Sequence, residues 1–298
     1  MLESFPRFDA SPANWKGSDL AAAPERWMHD LTAAELGDLE AVIAAHGART
    51  DDLTNVTAAD LALPHLAPKL AKIKAELLDG SGLTLIRGFP IERYDLRQAA
   101  TAFWAVGLHL GDPVSQNAAG HALGHVRDLG FDYSQPSSRG YQTAERLPYH
   151  CDSGDVVGLL SIKTSKTGGL SSAVSSTALY HAMIDRFPDH AAVLMQDTYR
   201  DRRDEIPEGR RPWYPMPVFQ AHAGRIYGHY VRSAIRKAQR FDDVPRITPQ
   251  QEAAFDALDA LAGSEEFRLD MAFQPGDMQF VCNHIVCDSH LVYNVFNL

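Results

Sequence analysis

Residues 147–180 read LPYHCDSGDVVGLLSIKTSKTGGLSSAVSSTALY, and how this stretch is read decides how the rest of the chain is read. His150 and Asp152 stand two apart in what reads as an extended segment, where alternate side chains share a face. Both therefore point one way and Cys151 the other. An imidazole and a carboxylate converging from one side are the first two arms of a two-His, one-carboxylate site, which leaves open positions on iron for oxygen and a co-substrate. The tripeptide does not settle the matter alone. With 13 His and 38 acidic residues in 298, H-x-D/E is expected about once or twice by chance, and a half-buried His beside a loop Asp is the competing reading.

The composition narrows the classes. At 298 residues, 45% of them apolar and 22% charged, the chain is ordinary for a soluble globular protein with a substantial core. A net charge of -10 argues against a phosphate-tracking surface, so nucleic acid is not an expected partner. Three cysteines make no disulfide framework, and Cys151 and Cys287 flank candidate metal positions, which suits a reducing, cytoplasmic setting. MLESFPRFDASP lacks a basic region followed by an apolar core, and no run approaches the ~18 apolar residues of a membrane span.

Residues up to about 30 show no period and are expected to wrap the body as irregular chain, within a mostly helical N-terminal segment, 1–80, of a single domain, 1–298. Thr32 and Glu35 form a capping box for a helix ending near His46, with Leu31 and Leu36 as staple. Leu70, Ile73 and Leu77 mark a second helix, about 66–79. LTLIR, 83–87, reads as a strand, and Asp95 opens a helix whose stripe includes Ala99, Phe103, Trp104 and Val106. Further on, Ser176 or Thr177 caps a helix stopped by Pro188, and the charge-dense stretch 200–211 reads as a solvated loop. His222-Ala223-Gly224 signals a hairpin, 231–240 a basic helix, and Thr248-Pro249-Gln250-Gln251 the start of another helix. Strands at 267–273 and 278–282 flank the Gln274–Asp277 turn. The soft segment 134–140 reads equally as part of a lid or as a surface connection.

HCDS, DVVGLLSI and K-T-x-K-T-G-G-L-S-S, together with GLHLGDPVSQN, GHVRDLG, RGYQT, YPMPVF and QPGDMQFVCNH, resemble the taurine-dioxygenase-like (TauD/TfdA) branch of the iron(II)/2-oxoglutarate oxygenases, in the family's order and over most of the chain. The resemblance implies an α+β fold with a double-stranded β-helix (jelly roll) core and flanking helices. It implies a dioxygenase that hydroxylates a small molecule, with Fe(II) and 2-oxoglutarate as cofactors. His150 and Asp152 fall on the metal tripeptide, and Ser171 on the hydroxyl that meets the far carboxylate of 2-oxoglutarate.

The end of the chain departs from that pattern. Where the family reads N-N-H-x-x-x-H-x-R, this chain reads C-N-H-I-V-C-D-S-H. Asp288 stands in the place of the distal His ligand and His290 in that of an Arg; His284 matches a His that is not a ligand. Asp288 as third ligand gives one imidazole and two carboxylates, a harder donor set suited to Mn or Mg, and His290 is the alternative. No Lys or Arg follows Arg268, so the co-substrate Arg and its closing strand are expected to be missing. Arg225 or Arg232, and less favourably Arg127, are the candidates to replace that Arg. A missing strand would leave an open sheet edge for a second copy of the chain to cover. Two alternatives therefore stand beside the dioxygenase: an inactive binding module or truncated product of the same fold, and a jelly-roll metalloprotein with other metal-assisted chemistry.

Overall fold

The computed structural model describes residues 5–48, 53–115, 120, 122–126, 147–152, 154–163, 170–290 and 294–297. The first thirty residues are more regular than expected. A short helix, α1 (Gly17–Ala21), and a strand, β1 (Met28–Asp30), occur there, and β1 runs parallel to β2 (Leu83–Arg87) with Leu85 opposite Met28. Three residues show no alternation on their own, so this strand exists by virtue of its partner.

The capping boxes form where the sequence places them. Thr32 Oγ1 accepts the Glu35 N–H at 3.3 Å while the Glu35 carboxylate accepts the Thr32 N–H at 2.8 Å, starting α2 (Ala33–His46). α3 (Ala67–Asp79) and α4 (Leu96–Leu110) follow, the latter capped by Asp95. Beyond them come β3 (Gly124–Val126), β4 (Val156–Lys163), β5 (Leu170–Ser175), α5 (Ser176–Arg186) and α6 (Pro188–Leu194). The cap of α5 is Ser175, one residue before the expected position, and its hydroxyl accepts the Ala178 N–H. The chain continues through β6 (Asp197–Asp201), β7 (Trp213–Pro217), the hairpin β8 (Phe219–His222) and β9 (Arg225–Gly228), α7 (Arg232–Lys237) and α8 (Pro249–Ala262). Ala223 and Gly224 both have positive φ, as the two-residue turn of that hairpin requires. The last strands are β10 (Leu269–Ala272), β11 (Met278–Cys282), β12 (Val286–His290) and β13 (Asn294–Asn297).

Two sheets stack to form the jelly roll. One has the order β1-β2-β11-β4-β13-β3, the other β10-β5-β12. Leu83, Leu85, Val157 and Val281 from the first meet Ala173, Leu269, Met271 and Val286 from the second in one apolar cluster. The outer face of the large sheet, through Ile86, Leu160, Met278 and Phe280, packs on α2, α3 and α4. The outer face of the small sheet, through Val174 and Cys287, packs on α5, α6 and α8. The fold is thus α+β, with helices outside both sheets.

Two expectations need correction. Residues 200–211 do not form a solvated loop throughout: Arg200 and Asp201 belong to β6 and are buried, Arg200 because backbone carbonyls of Thr198, Met216, Pro217 and His229 accept its N–H groups. The β4 edge is not open either. β13 pairs with β4 on one side and β3 on the other, so the reason for expecting a second copy there falls away.

Candidate metal and co-substrate site

A single antiparallel bridge organises the site. His150 N–H donates to the Asp288 carbonyl and Asp288 N–H to the His150 carbonyl, each at 3.0 Å, so the two residues form a hydrogen-bonded pair whose side chains share a face. In β12, Asp288 stands opposite Ala173 and Val286 opposite Ser175, and Ala173 and Val286 both face the sandwich interior. Asp288, 2% exposed, therefore faces inward.

His150 is held in one tautomer. Its Nδ1 lies 2.9 Å from the Pro148 carbonyl, which only accepts, so Nδ1 carries the hydrogen and Nε2 keeps its lone pair in the neutral ring. Nε2 is 3.8 Å from Asp152 Oδ2. A ligand His fixed through its other nitrogen by a carbonyl is the usual second layer of a metal centre. Burial pulls the imidazolium down, but the carboxylates of Asp152 and Asp288, with the Pro148 carbonyl, outweigh it and leave the His150 pKa above its ordinary value. His150 Nε2 and the Asp152 carboxylate thus stand together on one side of the segment. Among the described residues no three His, Cys, Asp or Glu side chains gather closely enough to hold an ion, so Asp288 shares the face without closing the cluster. The His290 side chain lies outside the described residues; its backbone pairs with Ser171.

His150 and Asp152 border a cavity of about 990 Å³, whose wall also includes Arg200, His229, Arg232 and His284. Its size is at the upper end for small-molecule sites. His284 Nε2 lies 2.8 Å from Asp155 Oδ1 and its ring stands edge-on to His229, centroids 5.7 Å apart. Burial, His284 and Arg200 together hold His229 down to about 4, so it is neutral near pH 7.

Ser171 is fully buried and donates to Gln279 Oε1 at 2.9 Å, across the interior of the roll. Gln279 is 1% exposed and its Nε2 has no acceptor among the described residues. A buried amide N–H without a partner is costly unless something arrives to accept it. Sequence reasoning passes over Gln279, though a lone Gln inside the apolar strand Met-Gln-Phe-Val-Cys is a signal that could have found it. Both expected arginines have their terminal nitrogens engaged by other groups. Arg225 lies off this cavity's wall and is bound to Asp79 and the Leu78 carbonyl at 2.6 Å each. Arg232 reaches the cavity wall, but Asp259, Glu252 and Asp256 occupy its terminal nitrogens at 2.5–2.6 Å. Arg127 and the segment 134–140 lie outside the described residues.

A jelly roll with a His-x-Asp pair on the wall of its cavity agrees with the iron(II)/2-oxoglutarate dioxygenases that hydroxylate small molecules. The family model of the taurine catabolism dioxygenase TauD, TfdA family matches residues 49–287, and the chain belongs to that family. It is 29% identical over 229 residues to FR-33289 synthase of Streptomyces rubellomurinus (strain ATCC 31215), covering 76% of this chain and 67% of that protein. It is 25% identical over 289 residues to the taurine hydroxylase-like protein SAT17 of Stachybotrys chartarum (strain CBS 109288 / IBT 7711), covering 90% and 71%. Among solved structures its fold is similar to asparagine oxygenase in complex with Fe(II), hydroxyasparagine and succinate (TM-score 0.69, 13% identity, 91% of this chain and 92% of that one). It is also similar to the non-heme iron oxygenase OrfP in complex with Fe and alpha-ketoglutaric acid (TM-score 0.64, 16% identity, again 91% and 92%). Family and fold favour the dioxygenase over the inactive and other-metal alternatives.

Proposed function

We propose that this chain hydroxylates a small polar molecule in the cavity beside His150, with His150 and Asp152 as the residues that would hold Fe(II) and Asp288 sharing their face. The observation that carries this is the anchoring of His150 Nδ1 on the Pro148 carbonyl, which makes Nε2 the nitrogen that stands beside Asp152 on the cavity wall. Iron with 2-oxoglutarate supplies the activation of oxygen. The chain's own groups orient and select. Gln279 Nε2, buried and without an acceptor among the described residues, is the donor that would meet the far carboxylate of the co-substrate, with the Ser171 hydroxyl beside it. A neutral amide thereby stands in for the family's Arg, which makes co-substrate binding weaker than a guanidinium fork would. Neutral His229 and the His284–Asp155 pair line the way in and present hydrogen-bonding groups to the substrate.

The cavity wall carries both signs, Lys74 and Arg203 against Asp112 and Glu205, which suits a zwitterionic molecule. Amino acids, the substrates suggested by the asparagine oxygenase fold relative, are the first compounds to screen. Among the described residues no helix is long and apolar enough to cross a membrane. With three free thiols, a reducing cytoplasm is the setting we favour. The test is succinate release from 2-oxoglutarate under air with Fe(II) and ascorbate across an amino-acid panel. Release by the wild type that His150→Ala abolishes supports the assignment; release that persists unchanged in His150→Ala refutes it.

A further inference from the structure

The two segments that carry the metal candidates are also joined on their opposite face. Because His150 and Asp288 are a hydrogen-bonded antiparallel pair, the next residues inward, Cys151 and Cys287, form the pair without backbone hydrogen bonds, where opposed side chains come closest. The Cys151 N–H confirms the register by turning away from β12 to donate to the Tyr230 carbonyl at 2.8 Å. The two sulfurs lie 2.8 Å apart, both residues 4% exposed, among Tyr149, Val174 and Tyr180. Cys151 is among the residues that border the cavity, so the sulfur pair lies directly behind its wall. Cys282, the third thiol, belongs to the other apolar cluster, between the sheets.

We propose that Cys151 and Cys287 are a modification site: a reversible disulfide that ties the His150–Asp152 segment to β12 from behind. A disulfide S–S bond is ~2.05 Å, so the sulfurs need to approach by only about 0.8 Å, within reach of a small side-chain rotation. The oxidant is a peroxide. One thiol sulfur attacks a peroxide oxygen, the O–O bond breaks, and a sulfenic acid and water form. The second thiol then attacks that sulfur, the S–O bond breaks and a second water leaves. Two thiols lose two electrons in all, and one peroxide becomes two waters. A dithiol reductant reverses the bond by exchange. Since His150, Asp152 and Asp288 occupy the opposite face, the link fixes the spacing of their strands without entering the cavity.

The test uses the full reduced chain with a metal chelator present, treated with hydrogen peroxide, unfolded and alkylated. The expected result is a fall from three titratable thiols to one, a monomeric product whose unreduced digest links the peptides of Cys151 and Cys287, and reversal by dithiothreitol. The Cys282→Ala variant, which leaves both partners in place, gives the same link and ends with no free thiol. Three thiols surviving, separate over-oxidation of the two sulfurs, a link through Cys282, or a disulfide between chains would each overturn the proposal. None of these readouts depends on metal or on turnover, so the result stands apart from the oxygenase assignment.

Discussion

His229 supplies a prediction whose size follows from its surroundings. Burial, the neighbouring His284 and Arg200 hold its pKa at about 4 against an ordinary 6.5. The unfolded chain therefore takes up a proton as pH falls through about 6.5, while the folded chain does not until about 4. Stability attached to this group is present above 6.5 and is lost as pH falls. A difference of roughly 2.5 units at 1.36 kcal/mol each sets an upper bound of about 3.4 kcal/mol over the full window, which solvent screening of this partly exposed ring cuts to about half. Between pH 7 and pH 5 the screened loss is about 1 kcal/mol. Urea unfolding of the metal-free protein at both pH values measures it, and His229→Gln, which keeps a polar group but cannot titrate, removes about that much of the pH dependence. Histidine ring NMR, with the variant assigning the signal, gives the pKa directly. A His229 that titrates near 6.5, or a variant that loses as much stability as the wild type, refutes the reasoning.

Three further perturbations test other parts of the account. Gly276 has φ +89°, and a Cβ there would stand 1.9 Å from the Phe89 carbonyl oxygen, so Gly276→Ala should destabilise by at least about 2 kcal/mol in urea unfolding. Gln279→Leu removes the amide proposed to meet the co-substrate and should raise the KM for 2-oxoglutarate about tenfold or more, from a lost hydrogen bond of roughly 1–3 kcal/mol, with kcat changed less; an unchanged KM removes Gln279 from the site. Asp288→His replaces a carboxylate by an imidazole opposite His150, so equilibrium dialysis should find Fe(II) bound more tightly relative to Mn(II) than in the wild type.

Much of the helical frame is legible in the amino-acid sequence, because a cap is a local event. Thr32 with Glu35 and Thr248 with Gln251 complete their boxes within four residues. The hairpin at Ala223 and Gly224 and the shared face of His150 and Asp152 are legible for the same reason. What escapes a local reading depends on partners distant in sequence. β1 is a strand only because β2 lies beside it. Arg200 looks solvated by its charge, yet four carbonyls from β6, β7 and the chain at His229 accept its protons inside. Gln279 gains meaning only when β5 brings Ser171 against it. The place of Asp288 is legible through the family resemblance alone, while its pairing with His150 arises only when β12 folds back beside the metal tripeptide.

The central claim is that His150 and Asp152 hold iron where 2-oxoglutarate can bind it. Anaerobic titration of the metal-free chain with Fe(II) and 2-oxoglutarate, followed in the visible, tests it most directly. The account predicts a metal-to-ligand charge-transfer band that saturates with 2-oxoglutarate and disappears in His150→Ala. A wild-type chain that develops no band, or a His150→Ala chain that keeps it, contradicts the account.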